Sequence, residues 1–136
     1  MSALLLDTCA LIWVMNDDYL DPTARSRIRE CGEAGDLWLS PITAWEIATL
    51  VAKGRLGLTM PPENWFATAL AMPGVRLAEM PPKTLIQSAF LPGIPPTDPA
   101  DRIVLATARS GDLTLVTRDA KILSYGRAGN ARVLGC

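Results

Sequence analysis

The run Ala3-Leu4-Leu5-Leu6 is apolar at every position. A strand of that kind has no face to offer to water, so it belongs at the centre of a parallel sheet covered on both sides. Leu37–Leu39, Val75–Ala78, Leu113–Val116 and Val133–Leu134 read as further short strands, the second of these weak and the last at an edge. Helical stretches separate them. Strands alternating with helices through short connections predict an α/β fold with a central, mainly parallel sheet of about four to five strands.

The breakers set the helices. Asp7-Thr8 ends the first strand, and residues 9–15 follow as a buried helix. Asp21-Pro22 opens the next, with Pro22 near the first helical position and residues 23–33 forming an exposed helix that carries Arg25, Arg27 and Arg29. Thr43 with Glu46 three residues on has the form of a capping box, opening a helix that closes near Lys53-Gly54. Pro61-Pro62 and Pro81-Pro82 precede two more helices, residues 63–71 and on to about Phe90. Residues 91–99 hold four prolines and form a stiff loop; 100–110 is a helix, and 121–125 one helical turn. The segments between the proline clusters are too short to be domains, so the chain reads as a single domain, residues 1–136. Its length fits that reading.

Composition narrows the chemistry. The chain has no histidine, which excludes Ser-His-Asp and Cys-His catalysis, histidine-ligated zinc and a histidine general base. Proton or metal chemistry then falls mainly to the 14 carboxylates. The 13 basic residues leave a net charge of −1, so the chain as a whole is no electrostatic glue for nucleic acid. Cys9, Cys31 and Cys136 form no CxxC pair and read as reduced thiols. No signal peptide is expected, since the start lacks a basic n-region and Asp7 interrupts its apolar stretch, and the longest apolar run, residues 9–15, is far below the roughly 18–20 that span a bilayer. A cytoplasmic protein without a membrane partner is expected.

The acidic residues fall where a parallel sheet keeps its ligands, beyond the carboxyl ends of the strands. Asp7 follows the first strand, Glu46 lies in the helix after the second, Asp98 and Asp101 flank Pro99 at a helix start, and Asp119 comes three residues after the fourth strand. Each also has a local reading: Asp7 as a helix cap, Glu46 as the partner of Thr43, Asp98 and Asp101 as favourable charges at a helix dipole, Asp119 as a turn residue. Taken together, clustered carboxylates resist ionisation unless a cation neutralises them, and an all-oxygen set favours Mg²⁺ or Mn²⁺. Such an ion is the usual means of hydrolysing a phosphodiester.

Four blocks carry a family resemblance over nearly the whole chain. They are Leu5-Leu6-Asp7-Thr8; Ser40-Pro41-Ile42-Thr43-Ala44-Trp45-Glu46-Ile47-Ala48 with Lys53-Gly54-Arg55-Leu56 behind it; Asp98-Pro99-Ala100-Asp101-Arg102-Ile103-Val104-Leu105-Ala106-Thr107-Ala108; and Leu113-Thr114-Leu115-Val116-Thr117-Arg118-Asp119. In this order they resemble a PIN domain of the VapC type, the toxin ribonucleases of bacterial toxin–antitoxin pairs. The resemblance implies a three-layer α/β/α fold and a Mg²⁺- or Mn²⁺-dependent endoribonuclease. Catalysis and metal binding would rest on Asp7, Glu46, Asp101 and Asp119. Asp98, Thr117 and Thr8 would orient those carboxylates or a water. Where relatives often carry a histidine two residues before the first Asp of the third block, this chain has Pro96. The resemblance further implies a homodimer and a cognate VapB-type antitoxin that obstructs the acidic site.

RNA contact needs local positive charge, for which Lys53, Arg55, Arg102 and Arg118 are the candidates; Arg102 has an alternative in a helical pair with Asp98. Arg25, Arg27 and Arg29 read as a solvated face. Trp13, Trp38, Trp45 and Trp65 read as core or interface anchors rather than base-stacking platforms. Leu56, Leu58 and Met60 either meet the antitoxin or pack inside. Two other classes stay open. One is a phosphatase with Asp7 as nucleophile, although such enzymes want a second aspartate where Cys9 stands. The other is a catalytically silent PIN-like module that binds RNA or protein.

Overall fold

A computed structural model describes residues 3–136; the first two residues of the expected domain lie outside it. Strands β1 (Leu4–Leu6), β2 (Leu37–Leu39), β3 (Val75–Leu77), β4 (Thr114–Thr117) and β5 (Val133–Gly135) make one sheet in the order β3-β2-β1-β4-β5. Every neighbouring pair is parallel, with Leu4 opposite both Leu37 and Thr114, and Leu6 opposite Val116. The continuous leucine run occupies the centre. All three leucines of β1 are fully buried, as a strand covered on both faces requires.

Among the described residues seven helices supply the cover: α1 (Thr8–Met15), α2 (Pro22–Ala34), α3 (Pro41–Ala52), α4 (Pro62–Leu70), α5 (Pro82–Ser88), α6 (Pro99–Gly111) and α7 (Ala120–Arg127). Alternation along β1 divides them. Leu4 and Leu6 join Leu11 of α1, Ile28 of α2, Ile47 of α3 and Trp65 of α4, whereas Leu5 packs with Val104 and Leu105 of α6 and Ile122 and Tyr125 of α7. The result is a three-layer α/β/α sandwich.

Three helices depart from the sequence reading in ways that affect the site. Ser40, not Thr43, caps α3: its hydroxyl accepts the Ile42 amide at 3.2 Å, with Pro41 at the first helical position. Thr43 is carried into the helix and fully buried, so no capping box forms and the Glu46 side chain is left free to face elsewhere. In the same way α6 begins at Pro99, with Asp98 as its cap, and α7 runs for eight residues where one turn was expected. A further tight point lies between α2 and β3. Gly74 adopts φ +79°, and a Cβ there would stand 1.7 Å from the Gly32 carbonyl oxygen.

Strand order reverses between β1 and β4. From β1 the chain builds outward to β2 and β3 on one side, then returns to place β4 and β5 on the other. At such a switch point the loops leaving two adjacent strands turn to opposite faces and open a crevice at their carboxyl ends. Among the described residues no helix is long and apolar enough to cross a membrane.

Candidate active site

The segments that leave β1 and β4 line the crevice. Asp7 caps α1, its Oδ1 accepting the Ala10 amide at 2.7 Å. Its Oδ2 accepts the Thr117 hydroxyl at 2.5 Å, a bond between residues 110 apart in sequence. The same Thr117 oxygen accepts the amide of Asp119 at 3.0 Å. Thr117 is fully buried, so its hydroxyl is the fixed point between the two aspartates. Asp119 in turn caps α7, with Oδ1 accepting the Lys121 and Ile122 amides, each at 2.9 Å.

Glu46 projects from α3 toward the same place. Thr8 at the start of α1 donates to Glu46 Oε1 at 2.5 Å, and its oxygen lies 3.4 Å from the hydroxyl of Thr43. Asp98 accepts the Asp101 amide at 3.0 Å, which sets the first turn of α6. The Asp101 carboxylate itself accepts no hydrogen bond from a described residue. Asp7, Asp98 and Asp119 are thus helix caps as well as site residues: the capping geometry is what holds them at the crevice.

The electrostatics show that these groups share one environment. Burial pushes the Asp101 carboxyl up to about 7, helped by repulsion from Asp98, Asp119, Glu46 and Asp7. Burial likewise raises Asp7, opposed by the Thr117 and Ala10 hydrogen bonds and reinforced by Asp119. Glu46 is raised by burial, against the Thr8 bond, and by Asp98 and Asp7. Cys9 reports the same field: its thiol is pushed up to about 11 by partial enclosure and then by Asp7, Glu46, Asp101 and Asp119. The sequence placed Cys9 only in an apolar run, yet its residue is exposed and beside the acids; nothing in the residue pattern signals this.

An all-carboxylate cluster that resists its own ionisation is suited by chemistry to a hard divalent cation. As the side chains stand, no three His, Cys, Asp or Glu groups among the described residues close around one point. Asp7 and Asp119 already have oxygens engaged by helix amides; the Asp101 carboxylate and Oε2 of Glu46 accept no hydrogen bond from a described residue.

The expected RNA-binding cations divide. Lys53 and Arg55 are exposed, and neither forms an ion pair with a described residue. Arg102 does not pair with Asp98; its Nε donates to the Pro96 carbonyl at 2.7 Å and holds the proline-rich loop. Arg118 stacks on Trp13, 3.6 Å from the ring centre, and its guanidinium donates to the carbonyls of Tyr19 and Cys136. Trp65 is buried and Trp13 and Trp38 half-buried, as anchors would be, but Trp45 is 60% exposed beside Glu46. Leu56 and Leu58 pack against the core and only Met60 of that trio is exposed.

Residues 4–128 match the PIN domain family. Over 125 residues the chain is 30% identical to Ribonuclease VapC22 of Mycobacterium tuberculosis, a match that covers 92% of this chain and 93% of that protein. The chain belongs to the PIN domain family. Its fold is similar to that in the crystal structure of VapBC2 from Rickettsia felis bound to a promoter DNA fragment, with TM-score 0.69, 14% identity and 97% of each chain covered. It is similar also to DNA-bound VapBC from Salmonella typhimurium, with TM-score 0.66, 20% identity, and 99% and 98% of the two chains covered.

Proposed function

We propose that this chain, as one domain over residues 1–136, is a metal-dependent endoribonuclease of the VapC type that hydrolyses RNA phosphodiester bonds. The observation that supports the reading is the Asp101 carboxyl, which is pushed up to about 7 by burial and then by repulsion from Asp98, Asp119, Glu46 and Asp7, beside the switch point of the sheet. Asp7, Glu46, Asp101 and Asp119 are the residues that would hold Mg²⁺ or Mn²⁺. When bound, such an ion supplies Lewis acidity, a lowered water pKa and charge neutralisation at the phosphate. The chain's own residues supply position. Thr117 fixes Asp7 and the backbone of Asp119, Thr8 fixes Glu46, and Asp98 fixes the turn from which Asp101 projects. Of the four cations expected to meet RNA, exposed Lys53 and Arg55 remain available to its backbone, since Arg102 and Arg118 have structural partners.

A VapB-type antitoxin is the expected partner, by analogy with the similar VapBC complexes, and a second copy of the chain is the other. The cell cytoplasm is the expected setting. A catalytically silent module is the competing reading, favoured by the lack of three converging ligands among the described residues.

Asp101→Asn is the decisive variant, because its carboxylate supports no hydrogen bond of the fold. Asp7→Asn would also remove a helix cap and an acceptor of the Thr117 hydroxyl. Purified Asp101→Asn protein is expected to melt at least as well as the parent and to lose cleavage of RNA in Mg²⁺ or Mn²⁺ by about 100-fold or more. Undiminished metal-dependent cleavage by that variant would falsify the assignment. A parent chain that neither binds these ions nor cuts RNA would favour the silent module.

A further inference from the structure

A cleft of about 720 Å³ lies between the proline-rich loop and α7, within the roughly 300–1,000 Å³ typical of small-molecule sites. Its lining adjoins two of the acidic residues along the chain: Thr97 precedes Asp98, and Ala120 follows Asp119. The loop wall is held from both ends. Arg102 donates to the Pro96 carbonyl at 2.7 Å, and the Tyr125 hydroxyl donates to the Pro92 carbonyl at 2.6 Å. Half-buried Pro95 and buried Pro96 therefore line the cleft from a stiff stretch of loop that needs little ordering to receive a ligand.

The lining is mostly apolar, with a few placed polar groups. Lys121 is its one charged side chain, exposed and without an ion-pair partner among the described residues. The side chains of Thr97, Ser124 and Asn130 also line the cleft, and none of the three is hydrogen-bonded to another described residue. An apolar lining, hydrogen-bonding side chains with no partner among the described residues and one cation match a nucleotide: apolar faces on the base, a polar edge, and an anionic phosphate.

We propose that this cleft is the nucleoside subsite of the enzyme, taking the base and ribose next to the phosphodiester presented to the acids, with Lys121 meeting a flanking phosphate. This rests on the nuclease reading above for its RNA, and the test separates the two. The four nucleoside 5′-monophosphates are titrated into the full chain and followed by amide NMR shifts. Shifts are expected at Thr97, Lys121, Ser124 and Asn130. Ser124→Trp, an exposed position on α7 whose indole would fill the cleft, is expected to abolish them, and Ser124→Ala to keep them. Lys121→Glu is expected to weaken the monophosphates by about tenfold while sparing the uncharged nucleosides. On a short single-stranded RNA, Ser124→Trp is expected to raise KM about tenfold with kcat largely retained.

No shift with any monophosphate, or shifts that persist in Ser124→Trp, overturns the subsite. So does a Ser124→Trp variant that cuts RNA normally but no longer holds its co-purified antitoxin, which would mark a protein-binding cleft. Mononucleotide binding requires no cleavage. A parent chain that binds here and never cuts RNA would therefore defeat the nuclease reading and leave the nucleotide site standing.

Discussion

One hydroxyl serves two carboxylate residues: Thr117 donates to the side chain of Asp7 and accepts from the backbone of Asp119. Asp101, by contrast, has no fixed partner, and its shift to about 7 gives a pH signature. A carboxyl held above its ordinary value of 3.8 binds its proton more tightly in the folded chain. Its stabilising contribution is complete below the ordinary value and is lost as pH rises through about 7. Without divalent cations, Tm is expected to fall as pH rises across that window, the raised Asp7 and Glu46 acting in the same direction. Asp101→Asn should flatten the slope, and Mg²⁺ should restore stability at the alkaline end, both readable by thermal melts. The places of Asp7 and Asp119 at the sheet's carboxyl edge were legible because each closely follows an apolar strand, whereas Glu46 and Asp101 lie inside helices whose approach only the fold supplies. The ionisation of the acids was not legible, since it depends on groups remote in the chain, as Asp7 does on Asp119. Nor was the approach of Cys9 legible, whose direction is set by the turn of α1.

The strands were readable as elements because burial on both faces leaves unmistakable apolar runs; the edge strand β3, with exposed Leu77, was correspondingly weak. Helix starts were less readable where two capping residues competed. Ser40 prevailed over Thr43 because Pro41 suits the first helical position, and the shift releases Glu46 from a capping role to face Thr8. The arginines show the same limit: Arg102 and Arg118 look like free cations in sequence, and only the folded loops supply the carbonyls that take them up. The α2–β3 junction yields an element-level test. Gly74 needs a left-handed backbone and lies against Gly32, so Gly74→Ala meets both strain and overlap. Urea denaturation is expected to show a loss of about 3 kcal/mol or more; a change within about 0.5 kcal/mol would contradict this packing.

At the scale of the whole molecule, α5 leaves Leu85 and Ile86 exposed, with Phe90 just beyond it at 81% exposure. Apolar side chains grouped on one short helix suit a self-complementary contact with a second copy. Light scattering behind size exclusion is expected to find a dimer for the parent and a 14.6 kDa species for Ile86→Asp with Phe90→Asp; a parent that runs as a monomer removes the dimer from the picture. The order of the strands has another consequence, for the timing of synthesis. β1 leaves the ribosome first, but the neighbour that completes its crevice is β4, and the Asp7–Thr117 bond joins positions 110 residues apart. A nascent chain can assemble β1, β2 and β3 in order of emergence, yet it holds no finished acidic crevice until the last quarter of the protein has been made. On the function proposed above, a nuclease built on this winding has no competent site for most of its translation, and that interval is the time in which an inhibiting partner would have to be present.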